Sequence, residues 1–146
     1  MPPVPVVDLK RALVAAGFEV YRTRGAEVQL ADRVRDNLIM DSRVSVVAAE
    51  PLVVRLTVRA QRGDFPGDTS GMLFDRARAL AAGAVARGFV ETVAVATPII
   101  DPGDAEHTLD TWYEVTFEAT AADVAAALVE ARFAFGVEKA AAPAFG

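Results

Sequence analysis

His107 is the only histidine in the sequence, and Asp101, Asp104, Glu106 and Asp110 surround it. Carboxylate oxygens beside an imidazole suit two kinds of chemistry: holding a hard cation, or setting an acid next to a base. Asp101, Asp104 and His107 are the metal-ligand candidates. Their spacing is neither that of a calcium loop nor that of a zinc-binding helix, and polar segments between apolar strands are ordinarily just solvated. A Ser70–His107–Asp triad can be drawn on paper, but no G-x-S-x-G turn presents Ser70 as a nucleophile. No catalytic residue is assigned, and a small hydrolase or metal-dependent enzyme around His107 ranks last among the functional readings.

The loop at residues 63–71 offers different chemistry. A strand, a glycine-rich turn and a helix start, in that order, present free backbone N–H groups to an anion. Arg59, Arg62, Thr69, Ser70 and Gly71 are the ligand-binding candidates there. Asp64 and Asp68 would repel phosphate, no phosphate-binding glycine motif is present, and Thr69 or Ser70 has a simpler use as a helix cap. A small-ligand or anion-binding protein is the alternative function.

Two strand-like segments carry matched, opposite charges. In residues 52–60, Leu52, Val54, Leu56, Val58 and Ala60 alternate with Arg55, Thr57 and Arg59; in residues 113–119, Tyr113, Val115, Phe117 and Ala119 alternate with Glu114, Thr116 and Glu118. Period-two alternation marks strands with one buried face, and opposite charges and Thr–Thr pairs favour cross-strand contact by roughly 0.2–1 kcal/mol each. Arg55, Arg59, Glu114 and Glu118 are therefore candidates for an interaction face, and more simply for a solvated, self-complementary sheet surface.

The elements that must position these residues read as follows. Asp8 caps a short helix with Leu9, Ala12, Leu13 and Ala16 inward, ended by Gly17. A hairpin follows over residues 18–30, turning at residues 23–25. Asp32 caps a second short helix carrying Val34, Leu38 and Met40. Residues 44–47 and 52–60 make a second hairpin around Glu50-Pro51. Residues 72–87 form the longest helix, with Leu73, Ala77, Leu80, Ala81 and Ala84 on one face, and Gly83 inside it suggests a close backbone approach.

Residues 89–100 are apolar on both parities, as for a strand covered on both sides, in the sheet's centre or in an interface. Thr120 to Asp123 is a capping box for a helix through Arg132, residues 133–137 add a last strand, and residues 140–146 form a flexible tail. The expected core includes Leu52, Val54, Leu56, Val58, Leu80, Val93, Val115, Phe117 and Leu128.

The β-α-β run 52–100 makes its two strands parallel, and pairing of the charge rows puts the returning strand between them, a split β-α-β unit. The expected fold is a single α+β domain over residues 1–139, mainly antiparallel, with helices on one face.

At 146 residues the chain can bury a core without staples, and it has no cysteine for disulfides or thiolate chemistry. A net charge of −5 with only two lysines, Lys10 and Lys139, argues against nucleic acid. The start, Met1-Pro2-Pro3-Val4-Pro5, has neither a basic n-region nor an apolar run long enough for a signal peptide or a transmembrane helix, and a cytoplasmic, soluble protein is expected. The abundance of Ala and Arg reflects GC-rich coding, and a bacterial source is expected. No cofactor is expected. The leading functional expectation is a non-catalytic protein-interaction domain of adaptor or chaperone type, engaging another protein or itself as a homodimer.

Overall fold

The computed structural model describes residues 4–141. Helix α1 (Val6–Ala15) leads into strands β1 (Glu19–Arg24), β2 (Glu27–Arg35), β3 (Leu38–Val47) and β4 (Leu52–Gln61). A 3-10 turn at Arg62–Asp64 precedes helices α2 (Ser70–Leu80) and α3 (Ala82–Arg87), the hairpin β5 (Val90–Asp101) and β6 (Asp104–Ala121), and helix α4 (Val124–Ala141). The strands form one antiparallel sheet in the order β1-β2-β3-β4-β6-β5, and the fold class is α+β. Because β6 lies between β4 and β5, these two run parallel across the intervening helices, as the split β-α-β reading requires. The chain forms two compact units: one from the residues up to Leu56 with those from Glu118 onward, the other from Thr57–Phe117. In the first, α1 packs on β1 and β2 and α4 on β3; in the second, Phe74 of α2 meets Tyr113 of β6 edge-on at 5.0 Å.

In the first unit, α1 begins after Pro5, so Asp8 sits in its first turn rather than capping it, and Gly17 (φ 99°) ends the turn that follows the helix. β1 and β2 join through a two-residue turn in which Gly25 takes φ 58°, with Arg24 opposite Glu27. The helix expected after Asp32 is absent: these residues end β2, turn at Asp36-Asn37 and begin β3, with Asp32 opposite Met40 and Arg35 opposite Leu38. Val34 and Leu38 have helical spacing, but the short turn lets the same residues complete a strand ladder. Arg33 closes it by donating to the Asp36 carbonyl at 2.6 Å.

β3 bulges where the pairing passes from Gln29–Ser45 to Ala31–Asp41. Arg43 takes φ 66° there, Asp41 Oδ1 accepts from its N–H at 2.9 Å, and the buried Ser42 hydroxyl donates to the Leu30 carbonyl at 2.8 Å. The extra residues are thus hydrogen-bonded rather than orphaned.

Helix α4 starts from Asp123, whose Oδ1 accepts from the Ala126 N–H at 2.8 Å; Thr120 belongs to β6 and is not the cap. The strand expected at residues 133–137 is instead the continuation of α4. Phe133, Phe135 and Val137 imitate a period of two, but the helix propagates through its alanine-rich sequence, and Phe135 meets Phe18 edge-on at 6.1 Å. Ala127, Ala131 and Ala134 are fully buried with Leu9, Leu13, Leu30, Val44, Val54 and Leu56. Leu128, expected in the core, is half-buried. The expected tail falls mostly outside the described residues, α4 being traced to Ala141.

In the second unit, Val58, Leu73, Ala77, Ala81, Ala84, Phe89, Tyr113, Val115 and Phe117 are buried. The Thr69 hydroxyl caps α2 by accepting from the Met72 N–H at 3.2 Å. The expected single helix over 72–87 is two, broken at Ala81 (φ −101°, ψ 12°), and Gly88 (φ 113°) terminates the second. The break turns Leu80 outward, to 40% exposure, against its expected core place. A Cβ on Gly83 would meet nothing within 4 Å, so that glycine marks no close approach.

The largest departure concerns β5. It is an edge strand, and nearly all its residues are exposed; Val93, expected in the core, is 50% exposed. Among the described residues, no helix is long and apolar enough to cross a membrane. Leu56→Ala should cost about 2–5 kcal/mol in urea unfolding followed by circular dichroism, against no more than about 0.5 for Leu80→Ala, since only Leu56 leaves a cavity.

Candidate functional site

The charge rows meet at Arg55 and at Thr57 as their alternation implies. Arg55 Nε donates to Glu118 Oε2 at 2.6 Å, and the Thr57 and Thr116 hydroxyls lie 2.9 Å apart, pairs that step by two in opposite directions as antiparallel strands must. Arg59 stacks on Trp112, 3.9 Å from the ring centroid. The Arg55 guanidinium also donates to Glu27 Oε2 at 2.8 Å, which accepts from Ser45 at 2.7 Å; Gln29 joins Glu27 at 3.3 Å and Arg22 at 2.7 Å. The result is a transverse polar belt through β1, β2, β3, β4 and β6. Burial disfavours ionised Glu27, but Ser45, Gln29 and Arg55 together outweigh it and hold the carboxyl below its ordinary range. A belt so internally satisfied leaves few donors for a ligand.

The loop at 63–71 is likewise tied to its own surroundings. Arg62 donates to the Asp68 carbonyl at 2.9 Å, to Ser70 Oγ at 3.3 Å and to the Tyr113 hydroxyl at 2.7 Å, while Ser70 and Tyr113 lie 3.1 Å apart. Asp110 accepts from the Gly63 N–H at 2.9 Å, and a Cβ on Gly63 would stand 3.2 Å from Asp110 Oδ2. Arg76 pairs with Asp68 and lies 3.8 Å over the Phe65 ring. Of the ligand-binding candidates, Arg62 and Ser70 are brought together, Thr69 serves as the cap, and Arg59 stacks on Trp112 instead. The member that motif-reading missed is Tyr113, hidden because it sits in the apolar register of β6. The Ser70 hydroxyl, then Arg62, hold its phenol below the ordinary range.

At the β5–β6 turn, His107 Nδ1 stands 3.5 Å from Asp101 Oδ2. Asp101 Oδ1 accepts from the Gly103 N–H at 2.8 Å, and Asp104 Oδ1 from the Glu106 N–H at 3.1 Å, both turn-stabilising bonds. Among the described residues no three His, Asp or Glu side chains group as a cation site would require. Ser70 is bonded to Arg62 and Tyr113, whereas His107 faces Asp101.

A group that sequence reading passed over is Glu138 on α4. One of its carboxylate oxygens is buried without a hydrogen bond, and its charged surroundings are Asp32 on β2, Asp41 and Arg43 on β3, and Lys139, itself 3.3 Å from Asp32. Burial, then Asp32, raises its pKa to about 7.

A stretch of apolar surface is also left open. β5 exposes Val90, Val93, Val95 and Ile100 at 65%, 50%, 47% and 42%, and Leu109 on β6 is also exposed. Neither face of this strand is covered within its unit. No protein family, curated protein or solved structure matches this chain.

Two titrations check this geometry. Ser70→Ala should raise the Tyr113 phenol pKa, read as a shift of the ultraviolet phenolate signal to higher pH, with Tyr21, the only other tyrosine, unchanged. For Glu138, the unfolded chain ionises near 4.5 while the native carboxyl holds its proton up to about 7. Its contribution to stability is therefore full below pH 4.5 and lost as pH rises through 7. Glu138→Gln should match the wild type in denaturant at low pH and exceed it at pH 8.

Proposed function

We propose that this chain is a non-catalytic protein-interaction module whose docking element is the β5 edge of its sheet. The reading rests on one observation: an exposed strand of 12 residues with apolar side chains on both parities and an unpaired backbone edge. Such an edge is a template for strand addition, in which main-chain hydrogen bonds supply affinity and alternate side chains supply selectivity. The polar groups of the 63–71 loop bond within their own cluster with Tyr113, and Asp101 and Asp104 bond to backbone N–H groups of their own turn, which weighs against ligand or metal chemistry as the primary role. A cytoplasmic setting and a protein partner, either another protein or a second copy, suit a net charge of −5, whereas nucleic acid does not.

The experiment is a comparison of variants. The protein is isolated gently from its own cells, and what accompanies it is identified by mass spectrometry. Val93→Lys and Leu109→Lys, both at exposed positions, should fold with unchanged circular dichroism and lose the accompanying protein or the second copy. Ser70→Ala and His107→Ala should retain it. Loss on Ser70→Ala or His107→Ala with retention in the two lysine variants would overturn the reading.

A further inference from the structure

We infer that the occupant of the β5 edge is the β5 strand of a second copy of this chain, paired antiparallel about a two-fold axis at Val95. The inference rests on the interaction-module reading and names its partner.

The two edges of the sheet differ in how they are protected. β1 is short and charged, with Glu19, Arg22 and Arg24 along its 6 residues, and Glu19 and Arg22 are bonded to Arg33 and Gln29. Charges on short edges are a standard defence against unwanted pairing. β5 has 12 residues, and none from Thr92 to Ile100 is charged. Glu91 is drawn back toward α2 by Arg78, whose Nε lies 2.8 Å from Glu91 Oε1. A second exposed apolar cluster in the sheet, Val34, Leu38, Ile39 and Met40, is interleaved with Arg33, Arg35, Asp36 and Asp41 and lies on interior strands. Of the two described sheet edges, β5 is the one without such protection.

The strand's sequence also fits itself. In an antiparallel ladder, directly opposite residues share the same hydrogen-bonding class, so symmetric self-pairing must place a residue on the axis. With Val95 there, Ala94 faces Ala96, Val93 faces the similarly shaped Thr97, Thr92 faces Pro98, Glu91 faces Ile99 and Val90 faces Ile100. Valine and threonine then line one face of the seam and alanine the other, and no charge opposes its like. An axis at Ala96 would set Glu91 against Asp101, a destabilising like-charge pair, and an axis at Ala94 would leave Ile99 and Ile100 unpaired. Pro98 lacks an N–H but falls near each end of the seam, where at most one ladder bond per copy is lost.

The absence of cysteine makes the test clean. Opposite residues in either hydrogen-bonding class have Cα separations of roughly 4.5–5.5 Å, within disulfide range. Under mild oxidation V95C should convert to a covalent dimer. V93C should not do so alone, but V93C mixed with T97C should cross-link, and L109C should form no cross-link. The wild type should sediment at twice the monomer mass and Val95→Lys at the monomer mass. Failure of V95C to cross-link, or equal cross-linking by L109C, overturns the inference. So does a monomeric wild type. If that monomer still loses a bound foreign protein on Val95→Lys, self-pairing falls while the interaction-module reading survives; if Val95→Lys changes nothing, both fall.

Discussion

Arg55 and Glu118 lie 63 residues apart in the chain, yet their side chains meet at 2.6 Å because β4 and β6 pair antiparallel. β4 and β6 are also the strands that run through both compact units. The pair itself is half-exposed, and contacts of that kind contribute at most about 1 kcal/mol. Its weight is in register. A slip of one residue would turn Arg55 toward the buried face and Leu56 toward water, exchanging a fully buried leucine for a guanidinium. The charge rows thus enforce one alignment, and burial of Leu56, Val58, Val115 and Phe117 supplies the energy for it.

The parts of this arrangement that were legible in the sequence are those in which side-chain pattern and pairing partner are both written locally. The alternation in β4 and β6 gave their faces, and complementarity of their charges gave their adjacency. Gly17 and Gly88 marked helix ends because a positive φ leaves few other choices. The failures share a cause. Val34 and Leu38 fit a helix as well as they fit two strands, and only pairing with neighbouring strands decides between them; the two-residue Asp36-Asn37 turn was the signal available. Phe133, Phe135 and Val137 posed the converse ambiguity within a helix. In β5, apolar residues on both parities reported a need for cover without saying whether the chain itself provides it.

The candidate sites were less legible than the fold. Motif spacing drew attention to residues 63–71 and to His107, where polar groups are abundant, and abundance let those groups satisfy one another. Arg62 found Asp68, Ser70 and Tyr113; Asp101 and Asp104 found backbone N–H groups in their own turns. Glu138 escaped notice because a glutamate near the end of a helix is unremarkable until Asp32 and Asp41 are brought beside it by strands about 100 residues earlier in the chain.

The separations along the chain also bear on the sequence of events by which this sheet assembles. The β5–β6 hairpin closes across two residues, and hairpins of that kind form within roughly 1–10 μs. The contact between Thr57 and Thr116 spans 59 residues, and the entropy of closing so long a loop must be met before any contact rewards it. The hairpin is therefore available well before β4 arrives beside it. During that interval both of its edges are open, and the uncharged stretch of β5 is exposed on a chain that has not finished folding. An unpaired edge with no charge from Thr92 to Ile100 is where two incompletely folded chains would first find each other.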